Sequence, residues 1–245
     1  MFNQVQPTDI WIAVLLIAGV VFSLWKRKLT PAAAFTGAAT GAVLYLGGGL
    51  TGILLMTGFF ILGTAASSWK KEQKRSSRAS DAHQTTRNAG QVLANAGVAA
   101  AIALIAWCFP GYRHLAGIMI AGCFASATAD TLSSELGMVY GRRFYHILHF
   151  KQEEKGLDGL ISLEGTLLGT AGAAIIATVY ALLNRFDAAW LLIVLAGTLG
   201  NLADSVLGAT LERKLVIGND MVNTLNTLTG ALTAGIGWYL ISGNV

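Results

Sequence analysis

The chain has 245 residues, 54% of them hydrophobic and 12% charged, with a formal net charge of +4. So little polar material cannot cover a water-soluble globule of this size, and apolar segments of bilayer-spanning length recur along almost the whole chain. A soluble enzyme and a separate soluble domain are both excluded. The expectation is a single integral membrane domain over 1–245, an all-α polytopic bundle of about eight transmembrane helices.

The first apolar segment, 10–25, is followed by its cations, Lys26, Arg27 and Lys28, instead of being preceded by them. It therefore reads as a first span and not as a cleaved secretory signal. No Arg-rich and Ser-rich transit segment comes before it, which favours a bacterial plasma membrane over an organelle. Segments 31–47 and 50–66 follow, joined by "LYLGGGLTG" at 44–52, a tight turn that makes them either two full crossings or a re-entrant pair. The basic stretch "WKKEQKRSSRASDAHQTTR" reads as a solvated face against anionic headgroups. Further spans are expected at 91–109, 115–137, 164–183, 188–209 and 218–242.

The loops at 26–30, 67–90, 138–163 and 210–217 hold 15 of the 17 lysines and arginines, leaving Arg113 and Arg185 for the alternate loops. Lys and Arg prefer cytoplasmic loops, so these four loops face the cytosol and both termini lie outside. Cys108 and Cys123 fall within apolar runs as packing residues, and indicate neither disulfide nor zinc. His83, His114, His146 and His149 lie outside the spans and read as loop or interface residues.

Against this background the polar residues inside the spans stand out. Asp130 lies twelve residues before Arg142, and Asp204 nine before Arg213. Each carboxylate is thus roughly 14 to 18 Å along its helix from the next cation. An ionised Asp facing lipid at that depth costs on the order of 2.5 to 3.5 kcal/mol, so both should face the bundle interior. Helical spacing supports this: Ser126, Asp130, Ser134 and Gly137 share one face, with Thr128, Thr131 and Glu135 beside it. Asn201, Asp204, Ser205, Gly208 and Glu212 share another, as do Asn219, Asn223, Asn226 and Gly230, with Asp220, Thr224 and Thr227 alongside. Asn88, Gln91 and Asn95 precede or open the fourth span, and Ser162, Glu164 and Thr166 open the sixth. All lie in the cytoplasmic halves, whereas outer halves such as "IALIAWCF" are nearly free of strong polar groups. A shift of 74 residues aligns Ala129-Asp130-Thr131 with Ala203-Asp204-Ser205, which suggests a parallel internal repeat placing two aspartates at one depth.

Carboxylates, amides and hydroxyls are hard oxygen ligands, the set that Mg²⁺ uses when it keeps some waters and takes other ligands from phosphates. No phosphate-binding GxxxxGK[ST] loop is present, so a nucleotide would be held by other means. Arg142, Arg143, Lys151, Lys155, Arg213 and Lys214 supply cations beside the acids. Metal plus cations around phosphates suits phosphoryl or nucleotidyl transfer, with a membrane lipid as the other substrate. Nothing calls for a nucleic-acid partner, and a homo-oligomer is left open.

The motifs "ASATADTLSSELG", "GLDGLISLEGTLLG", "GNLADSVLGATLE" and "NDMVNTLNTLTGAL", with "RNAGQVLANAG" ahead of the fourth span, resemble a membrane family long described as a domain of unknown function. Its plant member is the phytyl phosphate kinase of vitamin E synthesis. The resemblance implies an isoprenoid monophosphate kinase using a nucleoside triphosphate, CTP or ATP, and Mg²⁺, distantly like CTP-dependent polyprenol kinases. It points to Asn95, Asp130, Glu135, Glu164, Asp204, Asn219, Asp220 and Asn223, with Asp130, Asp204 and Asp220 as metal ligands and the amides toward phosphate or water; Asn201, on the Asp204 face, is expected to join them. Arg142, Arg143 and Lys155 are the expected nucleotide-side cations. The lipid tail is expected between helices where Gly165, Gly169 and Gly172 leave room. The rival readings are a CTP-dependent lipid cytidylyltransferase, a prenol kinase, or a transporter of isoprenoid phosphates.

Overall fold

The structure, a computed structural model, describes residues 6–75 and 86–243. His83 and the middle of the basic loop therefore lie outside the described residues. Helix α1 (Pro7–Trp25) opens with Pro at its first turn and a reciprocal capping box between Gln6 and Asp9. Helix α2 (Pro31–Ser68) is capped by Thr30, which accepts a bond from the Ala33 amide. The short α3 (Lys71–Arg75) precedes α4 (Ala89–Cys108), whose cap is the box formed by Asn88 and Gln91. After a 3₁₀ turn at Pro110–Tyr112 come α5 (Arg113–Tyr140), α6 (Leu163–Leu183), α7 (Ala188–Leu207) and α8 (Asn219–Ser242).

Helix α2 settles the question left by the glycine-rich turn. Gly49 adopts φ +61° and ψ −153°, a conformation open essentially to glycine alone. The helix folds back there. Gly41 packs against Met56 and Ile53, and Gly52 against the Leu44 carbonyl, although residues 41 and 53 would be about 18 Å apart in a straight helix. Each arm, about 18 residues, is long enough for roughly 27 Å of bilayer. Six helices among the described residues are long and apolar enough to cross a membrane. Counting both arms of α2, and adding the more polar α8 that runs against α4, α5 and α7, reproduces the eight expected helices.

Helix α5 is the hub, packed against α2, α4, α6, α7 and α8 and buried along most of its length. Small residues allow the close approach, as is usual where lipid leaves no hydrophobic drive between helices. A side chain at Gly122 would lie 2.5 Å from the Gly230 carbonyl, and one at Gly169 would lie 2.6 Å from that of Ala129. The glycines of α6, expected to open a lipid groove, are thus consumed by packing on α5. Gly165 meets the Ser133 carbonyl and Gly172 the Thr128 side chain in the same way.

The two ends of the bundle differ. At one end Lys28 donates to Ser68 (2.7 Å), and the chain at Leu29 pairs in parallel with that at Arg87. Trp69 donates to the Tyr140 hydroxyl (2.9 Å) there as well. At the opposite end Tyr45 donates to Asp9 (2.7 Å) and Asn184 to Thr51 (3.3 Å). The basic segments gather at the first end. The long connection between α5 and α6, expected to be plain loop, contains a small antiparallel sheet of β1 (Phe144–His146), β2 (Gln152–Glu153) and β3 (Leu160–Ile161), in the order β2-β1-β3.

Candidate functional site

A cavity of about 600 Å³ opens at the basic end, walled by α4, α5, α7, the start of α8 and the loop before β3. Helix α5 contributes Asp130, Ser134 and Glu135, and α7 contributes Asn201 and Asp204. Asn95 projects from α4, while Asn219 and Asn223 come from α8. Helical spacing alone puts these groups on shared faces, and the packing around α5 turns those faces toward one another.

Asp130 and Asp204, the two residues that the 74-residue shift aligns, are in side-chain contact. Asn226 donates to Asp204 Oδ1 (3.4 Å), and the Ser126 hydroxyl meets both the backbone and side-chain oxygens of Asn226. The aspartate pair is therefore positioned by an interior polar chain running from α5 through α8 to α7. Arg87, just ahead of α4, lines the same cavity and interacts electrostatically with Asp130 and Glu135. Burial pushes its guanidinium below the ordinary arginine value, and the two acids counter that shift. Asn95 donates to the Gln91 carbonyl (3.0 Å), but its own buried Oδ1 has no partner among the described residues. An unsatisfied acceptor in a cavity wall is a place for a ligand donor.

Glu135 is in the wall but is already engaged. The almost fully buried Lys74 donates to it at 2.5 Å and to the carbonyls of Ala66 (2.8 Å) and Ser67 (3.1 Å). Its placement supports a role in holding α3 and the end of α2 to α5.

Asp220 stands apart from the other two aspartates. Its carboxylate lies against Gly90 in the first turn of α4, where a Cβ on that glycine would be 2.7 Å away. There it complements the positive end of the α4 dipole. Arg142 and Lys155 line a neighbouring recess of about 540 Å³ with Glu153 and Glu154, and Phe144 belongs to both walls. Arg143 is exposed and outside the cavity wall. Glu164 lies on the other side of α5, where its Oε2 faces the Arg142 amide at 3.5 Å.

Arg87, Asp158 and Glu212 line the cavity without having been singled out as site residues. Arg87 was hidden among the charges of the basic loop, although its place just before a capping box could have set it apart. Glu212 was seen on the Asp204 face but not as part of the site. It ends a π-helical turn, Gly208–Glu212, that continues α7, a feature common beside functional sites. The loop around Gly159 (φ +70°) packs directly on that turn. Arg213 fastens the loop by donating to the Asp158 carbonyl (2.5 Å) and to Glu153 (3.0 Å).

Among the described residues no group of three or more His, Cys, Asp or Glu could hold a metal ion. Of the three aspartates expected at a metal, Asp130 and Asp204 are in contact, and Asp220 lies against Gly90. Two carboxylates in contact repel unless a cation or proton lies between them. With amide and hydroxyl oxygens nearby, they suit a hard cation that draws its remaining ligands from water and phosphate.

The profile of a family described as "Integral membrane protein DUF92" matches residues 14–231. An uncharacterized membrane protein of Methanocaldococcus jannaschii, MJ0933, is 32% identical, with 91% of this chain and 92% of that protein covered. Protein VTE6, chloroplastic, of Arabidopsis thaliana is 28% identical, over 96% of this chain and 73% of that one. An uncharacterized membrane protein of Synechocystis, sll0875, is 26% identical over 91% and 90%. No solved structure matches.

Proposed function

This chain belongs to the DUF92 family of integral membrane proteins, and from that premise we propose that it is an isoprenoid monophosphate kinase. In this reading the terminal phosphate oxygen of a lipid monophosphate attacks the γ-phosphorus of a nucleoside triphosphate, CTP or ATP. The bond from that phosphorus to the β–γ bridging oxygen breaks, giving a lipid diphosphate and a nucleoside diphosphate. The observation that carries the proposal is the contact of Asp130 with Asp204 in a polar cavity at the basic end. The family motifs that resemble phytyl phosphate kinase support it.

A lipid monophosphate is already anionic near neutral pH, so the protein has no need of a strong base. The obstacle is repulsion between two polyanions. Arg87 lines the cavity and places a fixed positive charge beside the acids. Asn95 offers its open acceptor to a donor group of the nucleotide, while Asn201 lines the same wall and Asn223, donating to Asn219 (2.9 Å), steadies the α8 side of it. Arg142 and Lys155, in the recess that shares Phe144 with the cavity wall, can meet the far end of a nucleotide. Asp130 and Asp204 would hold Mg²⁺, which when bound offsets phosphate charge. Positioning and charge neutralisation thus supply the catalysis.

The positive-inside distribution supports a site facing the cytosol. A transporter would need a polar route to the opposite end, whereas α5 between them carries the fully buried Ile118, Ile120, Cys123 and Phe124. The test is product analysis with purified protein, prenyl monophosphates of several lengths, four nucleoside triphosphates and Mg²⁺. A nucleoside diphosphate and a prenyl diphosphate are expected. Release of pyrophosphate would assign a cytidylyltransferase instead, and no turnover with any pair would sink the kinase reading.

A further inference from the structure

A second depression of about 760 Å³ lies on the opposite side of α5 from the acidic cavity, between the second arm of α2, α5 and α6. Leu62, Leu132, Leu136, Leu167 and Leu168 make most of its walls, which are almost wholly apolar apart from Glu164. Its rim at the basic end is different. Trp69 and Tyr140 are joined there by a hydrogen bond, and Lys70 sits over the Tyr140 ring, 5.4 Å from its centroid. A Trp–Tyr pair marks the level of the headgroups, and the lysine beside it marks the place of an anion. The groove thus runs from the headgroup level toward the bilayer centre, the path followed by a lipid tail.

The groove and the acidic cavity are separated by α5 and, beside it, by the Lys74–Glu135 pair. Ala66 lines the groove, and its carbonyl accepts from Lys74, whose ammonium in turn holds Glu135 in the cavity wall. Leu132 and Leu136 on the groove side are neighbours in α5 of Thr131 and Glu135 on the cavity side. The glycine stripe of α6 gives no passage, because it is packed against α5.

We infer that this groove holds the hydrocarbon tail of a prenyl monophosphate, whose headgroup reaches the Asp130–Asp204 pair across the Lys74–Glu135 partition; the inference rests on the kinase reading for its substrate class. A tail leaving the bilayer for such a groove gains little hydrophobic free energy, since lipid chains are as apolar as leucine. The groove acts by direction, fixing the depth at which the phosphate emerges and the chain lengths that fit.

The test is photolabelling of the intact protein in nanodiscs of phosphatidylcholine and phosphatidylglycerol with a diazirine-bearing farnesyl monophosphate. Labels are expected on 62–69, 132–140 and 164–168, and they should be displaced by unlabelled geranylgeranyl monophosphate. Labels confined to other faces, or equal labelling by a diazirine phosphatidylcholine without competition, would overturn the inference. Independently, Leu136→Trp and Leu168→Trp should each raise the KM for geranylgeranyl monophosphate relative to isopentenyl monophosphate about tenfold. An unchanged ratio in both would count against the groove. Competed labelling in the groove without phosphoryl transfer would retain this site and discard the kinase, whereas transfer with labels elsewhere would do the reverse.

Discussion

An aspartate pair held together inside a membrane bundle raises the free energy of the folded protein unless something positive is shared between its members. For Asp130 and Asp204 this gives a test with two readouts. Asp130→Asn and Asp204→Asn should each lower kcat by about 10²-fold or more, the scale of losing a key electrostatic group. In a thermal melt Mg²⁺ should raise the Tm of the wild type and leave both variants unmoved, while both should melt higher than the wild type in EDTA. Asp220→Asn should behave otherwise, costing about 0.3–1 kcal/mol of stability through the α4 dipole with only a small loss of turnover. A similar contrast separates Lys74 from its partner. Lys74→Met removes a buried ion-pair partner of Glu135 and should lower stability, whereas Lys74→Met combined with Glu135→Leu should recover much of that loss in denaturant melts.

At the level of elements, the helices were readable because bilayer length and apolar composition are local properties, and caps such as Thr30-Pro31 and Asn88 with Gln91 are written in neighbouring residues. Periodicity likewise placed Asp130 and Asp204 on inward faces. It carries no record of how helices rotate against one another, which explains three divergences. Asp220, which the resemblance points to as a metal ligand and periodicity puts on the stripe beside Asn219 and Asn223, has its carboxylate against Gly90. The α6 glycines look like free space in a linear pattern and become contact surface once α5 lies on them. Arg87 enters the cavity only because its segment pairs with residues 28–30. The π turn and the small sheet depend on the fit of Gly159 against Ala209, which no local pattern announces. Two expectations follow for these elements. Gly49→Ala should destabilise the hairpin by about 1–3 kcal/mol, measured by unfolding in mixed detergent, since alanine is strained at that backbone geometry. Arg213→Ala should free the 144–161 connection, giving faster hydrogen exchange there and a higher KM for nucleotide, with α4 and α6 unchanged.

For the whole molecule, the fold brings each basic segment of the described residues except Arg113 and Arg185 to one end, and that asymmetry makes the orientation testable. Gly111→Cys, at a position with open space around it, should react with a membrane-impermeant maleimide on intact cells, in a background where Cys108 is replaced by Ser. Lys214→Cys should react only after permeabilisation. The reverse pattern would place the acidic cavity on the outer face and remove its access to cytosolic nucleotide.

The reversal at Gly49 has a consequence for biogenesis. The turn between the two arms of α2 carries no charge, and the other connections on that side, 109–112 and 184–187, are only a few residues long. During synthesis the paired arms can partition into lipid as one unit, without hauling a hydrophilic segment through the bilayer. The finished protein then offers proteases and antibodies approaching from that side almost no interhelical chain to grasp.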